Sequence, residues 1–415
     1  MKKYTKIIAL LTVMVFVFSI ALTGCGGGTK TSENTPSQGT TEPKKTPVEL
    51  TVWSHLTDPE IAKVQEVANK WAQDTGNKVK VLADQSDFQA FSTAAQSGKG
   101  PDIMFGLPHD NLGTFQKAGL LAEVPDGVIN PSDYVPMSIN AVSFDKKMYA
   151  IPISMETYAL FYNTDKVPTP PATLDDLIKL GKEVGFQYDI NNFYFSFAFI
   201  AAYGGYVFKD NGGALDPNDI GLNNAGAKKG LELIKDFVTK YKFMPADING
   251  DMAKGNFQSG KTGLYISGPW DVQGFKDAKV PFKVAPLPQI DGKPTPSFAG
   301  VQAAFVSANS KHQTEAWDLM KYLAQNTGLP LFETGNRIPV LNSLLDNPEV
   351  KGNEILNAFA EQAKNAIPMP NIPAMTAVWT PAGNALQLIT TGKVSVDKAA
   401  DDMVTQIKQG IATMQ

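Results

Sequence analysis

Several aromatic side chains stand where they could line a binding cleft. Trp270 in ISGPWDV and Trp379 in MTAVWTPAG each lie within two residues of Pro or Gly at the end of a predicted element, and NFYFSFAF (192–199) groups four phenylalanines with a tyrosine. An aromatic ring covers the apolar C–H face of a pyranose, while carboxylates and amides hydrogen-bond its hydroxyls. The pattern favours a carbohydrate cleft, with a plain core helix or strand as the alternative for 192–199.

Other site chemistry has less support. His55, His109 and His312 are too scattered to have metal-ligand spacing. No G-x-S-x-G nucleophile elbow occurs, and a glycosidase would need two acids placed across the scissile bond. With 41 acidic residues some such pair is inevitable, so the sequence neither selects nor excludes one. We predict no metal, no cofactor and no catalysis.

The basic residues restrict the class of ligand. Among 37 Lys and Arg residues, Arg337 is the only arginine. Because arginine grips carboxylate and phosphate in a bidentate fork, a receptor for anions would be expected to place one or two arginines in its site, and this chain can offer one at most. Lysine or a helix N-terminus remains an alternative way to bind an anion. The formal net charge of −4 and the lack of a basic run also argue against nucleic acid. A neutral polar ligand is favoured.

The only cysteine, Cys25, follows a secretory signal pattern. A lysine-rich start precedes an apolar run over 7–22, which is shorter than a membrane span and suits a signal peptide. LTGC (22–25) resembles a bacterial lipobox, which implies cleavage before the cysteine and acylation of its sulfur; a small apolar residue at a helix end is the alternative. We predict a lipoprotein signal peptide over 1–24, and a lipidated cysteine with a flexible linker over 25–47.

The rest of the chain alternates strands with helices. VELTVW (48–53) alternates apolar and polar residues as a half-buried strand does, and the helix after it has Asp58 as a cap and Gly76 at its end. The first 70 or so residues of this part form a βαβαβ unit, which predicts a parallel sheet with helices on both faces. The other predicted strands are 78–83, 102–105, 262–266, 282–286 and 301–307, and further helices lie near 87–97, 111–118, 173–184, 223–241, 251–259 and 396–412.

Segments along nearly the whole chain after residue 48 carry a resemblance to one family. They include GKGPDIMFG, YAIPISMETYALFYN, NFYFSFAFIAAYGGYVFK, ISGPW, FAGVQAAFV and MPNIPAMTAVW. Together they resemble the maltose/maltodextrin-binding proteins, the extracytoplasmic receptors of ABC sugar importers.

The resemblance implies an α/β fold of the two-lobed type II periplasmic-binding-protein class. Each lobe is then a sheet flanked by helices, and the chain crosses between the lobes three times. The expected crossings lie near 154–159, 299–303 and 343–350. The expected N-terminal lobe comprises 48–156 plus 302–346, and the C-terminal lobe comprises 157–301 plus 347–415.

The resemblance also implies the sugar contacts. Asp110 matches an acid that hydrogen-bonds glucosyl hydroxyls, with an N-cap of the following helix as the alternative. Glu156 matches the acid at the first crossing, with a hinge salt bridge to lysine as the alternative. Tyr194 matches the tyrosine of the aromatic cluster, and Trp270 and Trp379 match two stacking tryptophans. The full predicted set is Asp110, Glu156, Tyr194, Phe195, Trp270, Trp379, His109, Asn111 and His55.

Several polar positions depart from the pattern of the enteric family members. Residues 54–58 read Ser-His-Leu-Thr-Asp where those members carry an Asn, an Asp and a Lys, and Asn111 replaces an arginine. Thr380 and Gly383 replace a tyrosine and an arginine, and an acid is lost near Asn192. Because these groups would hydrogen-bond the sugar, the preferred chain length and the end-sugar subsites stay open.

The expected function is a lipid-anchored binding protein for maltose or maltodextrins. It would close about a hinge, deliver sugar to ABC permease subunits outside the cytoplasm, and act as a monomer. Three alternatives remain: a surface glycoside hydrolase that acts on alpha-glucans with Glu156 and a second acid, a receptor for another neutral oligosaccharide, and a non-catalytic adhesion or scaffold lipoprotein.

The lipid anchor can be tested directly. Cys25→Ala removes the acylated sulfur, so we expect the protein to move from the membrane fraction to a soluble or unprocessed form while its sugar affinity is unchanged. Fractionation and immunoblotting measure this. Equal membrane retention of the substituted protein would refute the anchor.

Overall fold

The computed structural model describes residues 46–84, 88–212 and 214–414. Cys25, the predicted signal peptide and all but the last two residues of the predicted linker lie outside the described residues. Within those residues, no helix is both long enough and apolar enough to cross a membrane.

Buried strands form two main sheets. The strands of the described residues are β1 (Glu49–Ser54), β2 (Lys78–Ala83), β3 (Ile103–Pro108), β4 (Ser143–Phe144), β5 (Lys147–Met148), β6 (Ile151–Thr157), β7 (Ala159–Asn163), β8 (Phe186–Gln187), β9 (Lys209–Asp210), β10 (Leu215–Asp216), β11 (Leu264–Ser267), β12 (Phe282–Ala285), β13 (Phe298–Val306), β14 (Ile338–Pro339) and β15 (Ile367–Pro368). Burial alternates along β1 and is continuous along β7 and β13, as expected for half-buried and fully buried strands.

Helices cover the sheets, and a helix is the last element of the described residues. The helices of the described residues are α1 (Asp58–Thr75), α2 (Phe88–Gln96), α3 (Leu112–Lys117), α4 (Pro136–Ala141), α5 (Leu174–Val184), α6 (Phe193–Ala202), α7 (Ala225–Thr239), α8 (Gly250–Gln258), α9 (Val272–Asp277), α10 (Gln313–Asn326), α11 (Gly328–Gly335), α12 (Asn342–Leu345), α13 (Pro348–Lys351), α14 (Glu354–Ala363), α15 (Trp379–Thr390) and α16 (Val396–Ala412). The helices predicted from the sequence are confirmed. Short 3₁₀ turns precede four of these helices, at His109–Asn111, Pro131–Asp133, Pro269–Asp271 and Pro373–Ala377.

The first lobe is built on a sheet with the strand order β2-β1-β3-β13-β6-β14. β1 pairs in parallel with β2 and β3, which confirms the βαβαβ unit. β13 runs antiparallel to both β3 and β6, so beyond the parallel βαβαβ unit the sheet is mixed. The reason is the connection: β13 arrives from the other lobe and not through a helical crossover within this one.

The second lobe is built on a smaller mixed sheet with the order β12-β7-β11-β8. β7 is antiparallel to β11 and β12, and β11 is parallel to β8. Its core is rich in phenylalanine and tyrosine, whereas Trp71 and Trp317 are buried in the first-lobe core. Each sheet therefore supports a core of its own.

The chain passes three times between the two sheets. β6 lies in the first-lobe sheet and β7 in the second, with only Tyr158 between them. β13 then returns after β12 and pairs with β6 from Ala299 onward. After β14 the chain leaves again, because α14 packs on β12 and β7. The two-lobed fold is thus confirmed, while the predicted lobe boundaries at 156/157, 301/302 and 346/347 stay predictions.

The start of helix α1 places a buried carboxylate. Its N-cap is Thr57, one residue before the predicted Asp58, because Thr57 N and Oγ1 both donate to Glu60 Oε2, at 2.9 and 2.7 Å. Gly76 ends the helix at φ 75°, as predicted. Glu60 is fully buried in the first turn, where the helix dipole favours negative charge.

Candidate sugar-binding site

A cavity of about 480 Å³ is lined by residues of both lobes and of the strands that join them. This volume is within the range typical of small-ligand sites. The lining residues are His55, Thr57, Pro108, Asp110, Glu156, Asn192, Tyr194, Phe195, Trp270, Gln302, Arg337, Met369 and Trp379.

Seven of the nine predicted site residues are brought together in this lining: His55, Asp110, Glu156, Tyr194, Phe195, Trp270 and Trp379. His109 and Asn111 are not among the lining residues. His109 is buried behind the cavity, where its Nδ1 accepts from Val301 N and its Nε2 lies 3.1 Å from Met369 O. Burial lowers the pKa of His109 to about 4, so its imidazole joins the two lobes as a neutral ring.

Aromatic rings form one side of the cavity. Tyr194 and Phe195 start helix α6, and each ring centroid lies 6.4 Å from that of Trp270 in the 3₁₀ turn before α9. Trp379, at the start of α15, packs edge-on against Phe298 at 6.2 Å. The four lining rings are only partly buried, so part of their surface is open to a ligand.

Helix α6 positions these rings because it is aromatic on several faces. Phe193 and Phe197 are buried in the second-lobe core, and Phe197 stacks on Phe298 with a centroid distance of 3.8 Å. The intervening Tyr194 and Phe195 project toward the cavity side, as a 3.6-residue period requires. The plain core alternative for 192–199 is therefore correct for three of its five aromatic residues, Phe193, Phe197 and Phe199.

Asp110 bridges the lobes across the cavity. Its Oδ2 accepts a hydrogen bond from Trp379 Nε1 at 3.2 Å. The N-cap of α3 is Asn111, which makes no side-chain capping bond, so the alternative of Asp110 as the N-cap is wrong. Burial raises the pKa of Asp110 to about 7, although the hydrogen bond from Trp379 opposes the rise. Asp110 is a hydrogen-bond acceptor without a cationic partner among the described residues.

Glu156 belongs to a buried network of one arginine and two carboxylates. Arg337 Nη1 donates to Glu156 Oε2 at 2.6 Å, while Arg337 Nε and Nη2 donate to Glu60 at 2.6 and 3.0 Å. Glu156 is thus ion-paired, but with an arginine and not with the lysine considered from sequence. Burial opposes the charge of Arg337, yet Glu60 and Glu156 raise its pKa. The same arginine lowers the pKa of Glu60 against the effect of burial.

Two lining residues important to the site, Arg337 and Gln302, were not predicted from the sequence. Arg337 is the sole arginine, a signal that was used only to restrict the ligand class. Gln302 is the single polar residue in FAGVQAAFV, so a lone amide in a buried strand could have revealed it. Its Nε2 donates to Glu156 Oε1 at 2.9 Å, so both oxygens of Glu156 accept protein hydrogen bonds.

One segment matches a nucleotide-binding motif in its residue spacing but does not have the secondary structure that the motif requires. GNFQSGKT (255–262) has the residue spacing of a P-loop. It begins inside helix α8 and ends shortly before strand β11, whereas a phosphate-binding P-loop follows a strand and opens a helix. Across the described ranges no cluster of three or more His, Cys, Asp or Glu could hold a metal ion.

Comparison with known proteins gives the class of this chain. Residues 66–358 match the family model of the bacterial extracellular solute-binding proteins. The protein belongs to that family.

The names of several relatives state the oligosaccharides that those proteins bind. The Bacillus subtilis galactooligosaccharide-binding protein is 33% identical over 94% of this chain and 95% of its own. The Streptococcus pneumoniae R6 maltooligosaccharide ABC transporter solute-binding lipoprotein is 32% identical over 99% of this chain and 98% of its own. The crystal structure of the Alicyclobacillus acidocaldarius maltose-maltodextrin binding protein has a TM-score of 0.84 and 44% identity, covering 87% of this chain and 100% of that one.

The raised pKa of Asp110 predicts a pH dependence of stability. The pKa of an unfolded aspartate is about 3.9, so between that pH and the higher pKa of folded Asp110 the folded protein keeps a proton that the unfolded chain has lost. We expect the free energy of unfolding of the sugar-free protein, relative to Asp110→Asn, to be highest below pH ~4 and to fall until pH ~7.

Urea denaturation at a series of pH values measures this difference, in which groups shared by both proteins cancel. The asparagine keeps an oxygen for Trp379 Nε1 and so preserves the interlobe hydrogen bond. A difference that stays constant from pH 4 to pH 8 would contradict the assignment.

Proposed function

We propose that this protein binds maltose and maltodextrins outside the cytoplasm and delivers them to an ABC permease by closing its lobes on the sugar. The observation that carries the proposal is the cavity itself, with Trp270, Tyr194 and Phe195 on the second lobe and Asp110 on the first. Aromatic faces suit the apolar face of a pyranose, and Asp110 and Glu156 suit its hydroxyls.

The charges of the cavity support a neutral ligand. The three donor nitrogens of Arg337 already donate to Glu60 and Glu156, so its bidentate fork is committed within the protein. Asp110 adds another acidic group to the lining. An anionic sugar would meet carboxylates here and would find the one buried guanidinium engaged.

A receptor for galactooligosaccharides is the second candidate. It is favoured by the name of the Bacillus subtilis relative, which is about as similar in sequence as the maltooligosaccharide relative. Both sugars are neutral pyranose chains, and aromatic stacking does not by itself separate them. Titration with maltotriose and with a galactotriose, side by side, decides between them.

The remaining parts of the proposal concern anchoring, assembly and catalysis. The lipobox-like LTGC and the lipoprotein name of the pneumococcal relative support an anchor at Cys25. We propose a monomer without cofactor that contacts permease subunits. We also propose no hydrolysis, because both oxygens of Glu156 accept hydrogen bonds from Gln302 and Arg337, an arrangement unsuited to protonating a leaving group.

Loss of either stacking tryptophan should weaken binding strongly. Trp270→Ala and Trp379→Ala each remove a large apolar contact, which at a central aromatic position costs about 2 kcal/mol or more, roughly thirtyfold in affinity. Calorimetric titration with maltotriose, a galactotriose and a sugar phosphate measures this. We expect the sugar phosphate not to bind.

The matched control is Trp71→Phe, which alters a tryptophan buried in the first-lobe core and should affect stability alone. Maltotriose incubated with the wild-type protein for hours should remain intact. Unchanged affinity in both alanine variants, or hydrolysis that disappears with Glu156→Gln, would overturn the proposed function.

A further inference from the structure

Gln302 is held in one orientation by its neighbours. It lies on β13 with 4% of its surface exposed, and its Nε2 donates to Glu156 Oε1 at 2.9 Å. Glu156 cannot turn away, because its other oxygen is held by Arg337, which Glu60 holds in turn. Since a carboxylate oxygen requires a donor, the amide nitrogen must face Glu156 and the amide oxygen must face the other way.

The amide oxygen that results is buried and has no partner. Gln302 Oε1 accepts no hydrogen bond from any described residue, although Gln302 lines the cavity. The hydroxyl of Tyr194, another lining residue, is likewise buried without a partner. Buried carbonyl and hydroxyl groups are nearly always hydrogen-bonded, so these atoms indicate a ligand that supplies the missing bonds.

We propose that Gln302 determines specificity by accepting a hydrogen bond from one sugar hydroxyl through Oε1. This inference rests on the proposed function and assigns a further residue to the same site. The ligand must present a hydroxyl donor at this position, because an amide oxygen can only accept. A sugar with hydrogen in place of that hydroxyl leaves Oε1 buried and unpaired, which is the arrangement by which binding sites reject deoxy analogues.

The strand explains why the residue is a glutamine. β13 pairs with β6 so that Gln302 lies opposite Ser154 of β6. Glu156 lies two residues after Ser154 on β6 and is therefore close to Gln302. The other residues of β13 are apolar or glycine, and the whole strand is buried. A side chain at this position can therefore bridge the carboxylate of the crossing strand and the ligand, but a lysine or arginine would compete with Arg337 for Glu156.

Gln302→Met tests the assignment, because methionine has a similar length and no hydrogen-bonding amide. We expect affinity for maltotriose to fall about tenfold, the range of one hydrogen bond made in a buried site. The matched control is Gln362→Met. Gln362 is also buried, but its amide bonds with Leu287, Thr295 and Ser297 and does not line the cavity, so the control should change stability and leave affinity unchanged.

Direct contact is separated from a merely structural role by maltose analogues in which each hydroxyl in turn is replaced by hydrogen. We expect one analogue to bind wild type about tenfold more weakly than maltose, yet to bind Gln302→Met as well as maltose does, because the lost bond is the same in both. An equal loss for every analogue, or unchanged affinity in Gln302→Met, would overturn the inference. Failure of the wild-type protein to bind any maltodextrin would instead refute the proposed function.

Discussion

The site depends on the burial of a single positive charge between two negative ones. Arg337 is 4% exposed and Glu60 is fully buried, so each requires the other. Removing one member of such a group typically costs about 3–5 kcal/mol, because it leaves an uncompensated charge in the interior. The network joins separate parts of the first lobe: Glu60 lies in the first turn of α1, Glu156 lies on β6, and Arg337 lies between α11 and β14.

Backbone geometry around Arg337 serves this network. A Cβ at Gly335 would lie 1.9 Å from Glu60 Oε1, so only glycine allows the carboxylate to reach the arginine. The next residue, Asn336, turns the chain at φ 52° and accepts a hydrogen bond from Lys276 of the second lobe. Arg337 fixes the orientation of Glu156, and Glu156 in turn fixes that of Gln302. The floor of the cavity is therefore fixed before a ligand arrives. The aromatic walls, in contrast, belong to the second lobe.

The sequence predicted elements better than it predicted partners. Helix α16 and the strands β1 to β3 follow from local periodicity and capping, because those signals are contained within the elements themselves. The antiparallel direction of β13 could not be predicted, since it depends on a connection that passes through another lobe. Glu156 was selected through the family resemblance. Its partner Arg337 could not be predicted, because it lies 181 residues further along the chain and local signals do not pair distant side chains. His109 was predicted as a site residue beside Asp110 but does not line the cavity. Hydrogen-bond contacts with Val301 and Met369 hold its ring in the interior.

We propose that one sugar binds to both lobes and so brings them together, because only differential affinity shifts a conformational equilibrium. A Cβ at Gly113 of the first lobe would lie 2.1 Å from Asn371 O of the second, whereas one at Gly255 would contact nothing within 4 Å. X-ray scattering with and without saturating maltotriose, on wild type, Gly113→Val and the control Gly255→Ala, tests the claim. We expect a smaller radius of gyration with sugar for wild type and Gly255→Ala, and a reduced contraction for Gly113→Val. A wild-type protein that binds maltotriose without contracting would contradict it.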